Sequence, residues 1–161
     1  MNYMSTIDEF TIKPAGELAP DFSLKDQHGE SVSLRKLLSE GMALLYFYSS
    51  DGAPGVSSEV QELNDYRDKF GEFDISIAAI SNDDQETHQS FAEDRSLTIR
   101  LLADPDYSVA KAYGVYNESG VNSRVTFIVA QDGEIVRVFP SQRMRSHIME
   151  VYENVRETLI E

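Results

Sequence analysis

The sequence contains no cysteine and no tryptophan among its 161 residues. Without cysteine it has no thiol for nucleophilic or redox chemistry, no disulfide, no iron–sulfur cluster and no cysteine-ligated zinc site. Long apolar runs are also absent: the longest covers residues 42–48, whereas a membrane-spanning helix needs about 18 or more such residues. Thiol enzymes are therefore excluded, and a membrane-spanning protein is not expected.

Basic residues are scarce, because 14 Lys and Arg stand against 28 Asp and Glu, which gives a net charge of −14. Such a surface repels nucleic-acid phosphates and anionic lipids, so we expect no nucleic-acid or membrane partner. An excess of acidic residues keeps a protein soluble, which explains this charge. Adaptation to a saline cytoplasm is the alternative explanation. The first residues carry acids where a signal peptide carries a basic and then an apolar segment, which predicts a cytoplasmic location.

Three apolar runs of strand length, at residues 42–48, 73–80 and 125–130, predict strands inside a sheet that is covered on both faces. Apolar residues spaced three and four apart, as in helices, lie between these runs. Asp132-Gly133 predicts a β-hairpin after the third run. We expect an α/β fold with a central, mostly parallel sheet, helices on both faces and a β-hairpin edge. One domain would cover residues 16–161, preceded by an N-terminal arm at residues 1–15.

Capping patterns predict three helix starts: Ser58 with Gln61, Asp83 with Glu86, and Asp104 with Pro105. A fourth helix, at about residues 145–160, carries an apolar stripe and is expected to pack on the sheet.

Several segments occur in the same order as in a known family: APDFSL at 19–24, DQHGESVSL at 26–34, LYFY at 45–48, Pro-Gly at 54–55, DPD at 104–106, AKAYGV at 110–115 and RVTFIV at 124–129. Together they resemble peroxiredoxins of the alkyl hydroperoxide reductase and thiol-specific antioxidant family, and among them the bacterioferritin-comigratory subgroup. The similarity covers about residues 15–160 and implies a thioredoxin-like fold.

The same resemblance implies where an active site would lie. In the family pattern P-x-x-x-T-x-x-C, the proline shields the thiolate, the threonine binds the peroxide, the cysteine attacks it and a distant arginine lowers the thiol pKa. These positions hold Ser49, Ala53 and Val56 here, and only the arginine remains, as Arg124. Because a valine side chain offers no thiolate, peroxidase activity is not expected and no catalytic residue is assigned.

Ser57 is a ligand-binding candidate, because it follows Val56 at a predicted helix start where backbone amides assist binding. An attacking serine needs a base, and none of the three histidines, His28, His88 and His147, lies in a recognisable pairing motif. Helix capping is therefore the expected role of Ser57 and of its neighbour Ser58.

Arg124 is the second ligand-binding candidate, and two roles remain open for it. With the helix start near Val56 it would attract a small anion, or it would form an ion pair with an acid such as Glu59.

No metal or cofactor is expected. The acids Asp83, Asp84 and Glu86 are close in sequence but lack the spacing of a calcium-binding loop, so they are interpreted as helix caps.

We therefore expect a cysteine-free, peroxiredoxin-like binding or regulatory module. Its contact surface would be the former active-site face, made of Ser49, Asp51, Ala53, Val56, Ser57 and Arg124. Its partner would be a second copy bound through that face, an unknown protein or a small anionic ligand. Two alternatives remain open: an enzyme of different, non-thiol chemistry on the same scaffold, or an engineered cysteine-free variant of a thiol-dependent peroxidase.

Overall fold

The computed structural model describes residues 12–141 and 147–159. In this part of the chain the strands are β1 (Ser23–Lys25), β2 (Ser31–Ser33), β3 (Met42–Phe47), β4 (Ile75–Ser81), β5 (Arg100–Ala103), β6 (Val125–Val129) and β7 (Ile135–Pro140). The helices are α1 (Leu34–Leu37), α2 (Val56–Asp65), α3 (Arg67–Gly71), α4 (Gln85–Arg95), α5 (Ser108–Tyr113) and α6 (His147–Thr158). None of these helices is long and apolar enough to cross a bilayer.

All seven strands form one sheet in the order β2-β1-β5-β4-β3-β6-β7. Only β3 with β4 and β4 with β5 pair in parallel, and the other four pairings are antiparallel. The sheet is therefore mixed, and the expectation of a mostly parallel sheet is wrong. The reason is that β1 and β2, three residues each, were too short to give an apolar run, and they add two antiparallel pairings at one edge.

The predicted hairpin joins β6 to β7, with Gly133 at a φ of 97° in its turn. Glycine suits this position because a side chain at positive φ is strained. The hairpin forms the edge of the sheet, as expected from Asp132-Gly133.

Strand β3 lies between two apolar layers, and its side chains alternate between them. Leu45 and Phe47 pack with α1 and α5 on one face. Leu44 and Tyr46 pack on the other face with α2, α3, α4 and α6. All four side chains are fully buried. Helices cover both faces, and the continuous apolar run of residues 42–48 is explained by burial on both sides.

Helix α2 begins three residues earlier than predicted. Its N-cap is Gly55, at a φ of 81°, and no side chain caps it. The Ser58 hydroxyl instead donates to the Gly55 carbonyl oxygen at 3.3 Å, and the Ser57 hydroxyl donates to the Asp51 carbonyl oxygen at 3.4 Å. The expected capping role of the two serines is therefore wrong, because both lie inside the first turn.

Helix α4 is capped by Asp84, whose Oδ1 accepts from the Thr87 amide at 2.8 Å, and not by Asp83. Asp83 instead accepts a hydrogen bond from the Asp51 amide. Before α5, Asp104 accepts from the amides of Val109 and Ala110, so this acid stabilises the helix start as expected, although α5 itself begins at Ser108.

Helix α6 buries Ile148, Val151 and Val155 against the sheet, as its apolar stripe predicted. Residues 145, 146 and 160 of the predicted helix lie outside the described residues. So do residues 1–11 of the predicted arm, while the Lys13 amide donates to the Tyr113 carbonyl oxygen at 3.0 Å. The division into an arm and one domain stays a prediction.

Gly41 offers a test of how β3 and β4 start side by side. A Cβ atom at Gly41 would overlap the carbonyl oxygen of Asp74, the residue before β4. We expect Gly41→Ala to lower the free energy of unfolding by about 1–3 kcal/mol, as overpacking does elsewhere. Urea denaturation measures this, and Gly71→Ala is the control because a Cβ there meets nothing within 4 Å. Equal midpoints for the two variants would contradict the packing seen here.

Candidate functional site

The segment from the end of β3 to the start of α2 holds three of the positions that the peroxiredoxin resemblance implies for an active site, Ser49, Ala53 and Val56. The Val56 amide donates to the Ala53 carbonyl oxygen at 3.0 Å. Its side chain is 2% exposed and lies in the same apolar cluster as Tyr48 and Val60, with Ala53 packed against that cluster. This position is therefore a closed apolar corner.

Asp51 stabilises the turn from inside the protein, and this residue is only 3% exposed. Its Oδ1 accepts from the Tyr48 hydroxyl at 2.6 Å, and its Oδ2 lies 2.7 Å from Nδ1 of His88. Its backbone amide donates to Oδ2 of Asp83 at 2.8 Å, which explains why Asp83 does not cap α4. Asp51 thus joins the turn to the start of α4 through both its main chain and its side chain.

His88 is fully buried, and both of its ring nitrogens have partners. Nε2 lies 3.1 Å from the Leu102 carbonyl oxygen, which can only accept, so Nε2 carries a proton. The proton on the other side lies between Nδ1 and the Asp51 carboxylate. His88 therefore has no free nitrogen with which to act as a base.

The pKa of Tyr48 is raised by burial and by the charge of Asp51, so its hydroxyl remains a donor.

Asp51, Asp83 and His88 are the one group of potential metal ligands found among the described residues, with ligand atoms within 4.8 Å of one another. Two carboxylates and an imidazole suit a divalent transition metal. Hydrogen bonds already account for the cluster, since Oδ2 of Asp83 also accepts from the Ser81 hydroxyl at 2.6 Å. The acids grouped by sequence, Asp83, Asp84 and Glu86, do not meet in this way, because Asp84 caps α4.

Arg124 reaches the same turn from the residue before β6. Its Nη1 lies 3.3 Å from the Gly55 carbonyl oxygen and 3.4 Å from Oε1 of Glu59. One of the two roles left open for Arg124, the ion pair with Glu59, is therefore present in the structure. Its other role, binding a small anion, stays a prediction.

Glu59 is the centre of a second buried network. It is 8% exposed and accepts from the Tyr46 hydroxyl at 2.5 Å and from the Ser141 hydroxyl at 3.0 Å. Burial, and then the Glu59 charge, raise the pKa of Tyr46, so this tyrosine stays protonated and keeps donating. The carboxylate of Glu59 is thus satisfied by three partners at once.

His147 lies beside this network and is 4% exposed, with Nε2 at 3.0 Å from the Thr126 hydroxyl. Burial lowers its pKa, while the charges of Glu59 and Glu150 act in the opposite direction. At neutral pH His147 is therefore an uncharged imidazole. It donates to or accepts from Thr126 and does not contact Ser57 in the structure.

Comparison with known proteins decides the family. Residues 15–138 match the AhpC/TSA family. The chain belongs to that family. It is 30% identical to peroxiredoxin Bcp of Bacillus subtilis over 149 residues, 88% of this chain and 94% of the relative. It is 33% identical to peroxiredoxin Bcp of Escherichia coli over 141 residues, 83% and 89% of the two chains.

The fold agrees with that of a solved structure of the same kind. Peroxidoxin BcpB from Mycobacterium tuberculosis superposes with a TM-score of 0.82 at 31% identity, over 89% of this chain and 96% of the other. These matches confirm the peroxiredoxin resemblance and the thioredoxin-like fold, in an AhpC/TSA family member that has no cysteine.

The structure brings the predicted positions Ser49, Ala53, Val56 and Arg124 to one turn of this family member, but it adds residues that the sequence analysis missed. The buried tyrosines of β3 and its end, Tyr46 and Tyr48, each donate to a carboxylate, Glu59 and Asp51 respectively. Their spacing of two was visible in the sequence as a sign that both face one layer. Nothing in the sequence, however, identified their partners.

Replacing Glu59 tests the second network. Glu59→Ala leaves the Tyr46 hydroxyl and the Arg124 guanidinium without a carboxylate, and removing one partner of a buried charged pair typically costs about 3–5 kcal/mol. Because Arg124 is 26% exposed, we expect a smaller loss, of about 2–4 kcal/mol.

The measurement is urea denaturation at neutral pH. Glu62→Ala, on the same helix, is the matched control, because burial and the charges of Glu59 and Asp65 raise the pKa of Glu62 and its carboxylate is poorly stabilised. We expect that control to unfold at or above the wild-type midpoint. Equal losses in both variants would show that the network contributes nothing specific.

Proposed function

We propose that this protein acts without thiol chemistry, as a binding or regulatory module built on the AhpC/TSA scaffold. The observation that carries the proposal is the position of Val56, 2% exposed in an apolar cluster where the family pattern places its cysteine. Arg124, the remaining family residue, is engaged by Glu59 and by the Gly55 carbonyl oxygen. Neither residue offers a group that reacts with peroxide.

The surface of the β3–α2 turn supports a binding role. Residues 49–58 contain one charged residue, Asp51, and its side chain is buried. The exposed residues of this segment are glycine, proline and serine: Gly52, Pro54, Gly55 and Ser58. In a chain with 26% charged residues this is an uncharged patch, and the cores of protein interfaces are depleted in charge.

Two residues of the expected contact surface are not on it. Asp51 and Val56 are 3% and 2% exposed, so they support the turn from beneath. The reason is that Asp51 satisfies Tyr48 and His88, and that Val56 packs into the core. We name residues 49–58, whose exposed side chains are uncharged, the uncharged turn.

A second copy of this chain is the partner that we propose first. Two copies with a net charge of −14 repel each other, so the uncharged turn is where they approach at least cost. Peroxiredoxins commonly dimerise through the face around the active site, although the bacterioferritin-comigratory subgroup includes monomers. An enzyme that holds an anion with Arg124 is less supported, because a carboxylate already pairs with that guanidinium. A cytoplasmic location stays a prediction.

Peroxide consumption tests the first half of the proposal. With hydrogen peroxide and a thiol reductant, we expect the purified protein to consume no more peroxide than a heat-denatured sample, since no thiol is present. Val56→Cys should remain nearly inactive, because burial raises the pKa of a thiol and excludes the substrate. A peroxiredoxin Bcp is the positive control. Consumption by the wild-type protein above the denatured sample would refute the proposal.

Sedimentation velocity tests the contact surface. We expect the wild-type chain to dimerise and Gly52→Glu to weaken dimerisation about tenfold or more, because it places a charge in the uncharged turn. A Cβ at Gly52 meets nothing within 4 Å, so the fold tolerates the change. Gly71→Glu is the control, since Gly71 is equally open but lies on α3. A monomeric wild type, or equal effects of both variants, would contradict a dimer through this turn.

A further inference from the structure

A cavity of about 440 Å³ lies at the edge of the sheet opposite the uncharged turn. Its walls include the first residues of β4, Ile75, Ser76 and Ile77, and the start of β5 with Arg100. The uncharged turn follows the carboxyl end of β3, which runs parallel to β4. Because β4 has seven residues, at about 3.3 Å each roughly 20 Å separates the two edges.

The charge of this cavity differs in sign from that of the protein. Lys36, Arg67 and Arg100 line it, in a chain that has half as many basic as acidic residues. The acids on its wall are Asp26 and Glu30. The cavity thus carries more positive than negative side chains on a protein whose overall charge is −14.

Asp26 forms no ion pair with these cations in the described part of the chain. Its side chain is buried, and Oδ1 accepts from the amides of His28 and Glu30 at 2.8 and 3.0 Å, inside the turn between β1 and β2. This carboxylate is needed by its own hairpin. Among the described residues, no acid forms an ion pair with any of the three cations of the cavity.

Arg100 is the most informative of the three. It is half-buried at the start of β5, and its guanidinium has no hydrogen-bond or ion-pair partner within the described part of the chain. Arg67 differs, since its Nη1 donates to the Asn64 carbonyl oxygen at 2.7 Å. A guanidinium carries five donors, and those of this half-buried arginine are left for water or for a ligand from outside the chain.

The other wall residues indicate the size and kind of this acceptor. Ser76 and Thr98 bring hydroxyls, and Ile75, Ile77 and Ile99 bring apolar surface. A volume of about 440 Å³ lies within the usual range of small-molecule sites. Guanidinium groups bind the oxygens of phosphates and carboxylates with paired hydrogen bonds.

We propose that this cavity binds a small organic anion through its phosphate or carboxylate groups, with Arg100 as the principal contact and Lys36 and Arg67 beside it. The site shares no residue with the uncharged turn, so the proposal does not depend on the proposed function. Binding here would be local, because the overall negative charge of the protein repels anions from the rest of its surface.

Isothermal titration calorimetry at low salt tests the proposal, with inorganic pyrophosphate and citrate as separate probes. We expect at least one probe to bind, and Arg100→Gln to weaken that binding about tenfold or more because a charged hydrogen-bond donor is lost. Arg95→Gln is the matched control: Arg95 is exposed, lies outside the cavity, and its guanidinium lies over the Phe91 ring. It should leave binding unchanged.

Lys36→Gln is the second variant, because Lys36 is exposed and its replacement should not affect folding. It should also weaken binding, and thermal unfolding of each variant shows whether the fold is intact. Binding of pyrophosphate alone would indicate a phosphorylated ligand, and binding of citrate alone a carboxylate. No heat with either probe, or equal weakening in the Arg100 and Arg95 variants, would overturn the proposal.

Discussion

The buried carboxylate of Asp51 holds the turn on which the rest of the site depends. It accepts a hydrogen bond from Tyr48 and contacts His88, while its amide binds Asp83. Hydrogen bonds to a charged group contribute about 1.5–3 kcal/mol each, and a carboxylate left unpaired inside the protein is costly. The turn is therefore held from three directions. Its fixed path brings Val56 into the core and starts α2 there.

Glu59 stabilises the start of α2, just as Asp51 stabilises the turn before it. Its partners come from β3, from the residue before β6 and from the segment after β7. These two carboxylates explain how the turn and the start of α2 are held in one arrangement in a chain that has no cysteine. The scaffold around the site is stabilised by hydrogen bonds that do not involve the side chain at position 56. The fold therefore does not depend on a thiol at position 56.

Charge is distributed unevenly over this protein, and two regions differ from its otherwise acidic surface. Acidic residues are twice as numerous as basic ones, yet the exposed part of residues 49–58 is uncharged and the cavity beside Arg100 is lined by three cations. A uniformly acidic surface would favour solubility alone. The two exceptions lie at opposite edges of the sheet, so a partner and a small anion would not compete for the same surface.

The α/β class, the buried strands, the hairpin at the sheet edge and the family could be predicted from sequence, because they depend on local patterns and on the order of short segments. It also showed that positions 49, 53 and 56 lack the family's reactive pattern. Local patterns misplaced two helix caps, since Ser58 and Asp83 carry the right side chains but have other partners in space.

Three features could be found only in the folded structure: the mixed pairing of the sheet, the contacts of Asp51 with His88 and of Arg124 with Gly55, and the cavity lined by His28 and Arg100. The paired atoms come from residues 37 and 69 positions apart in the two contacts. No helical or strand periodicity spans such separations. Whether a charged side chain is buried, and whether it has a partner, is set only when the helices have packed on the sheet.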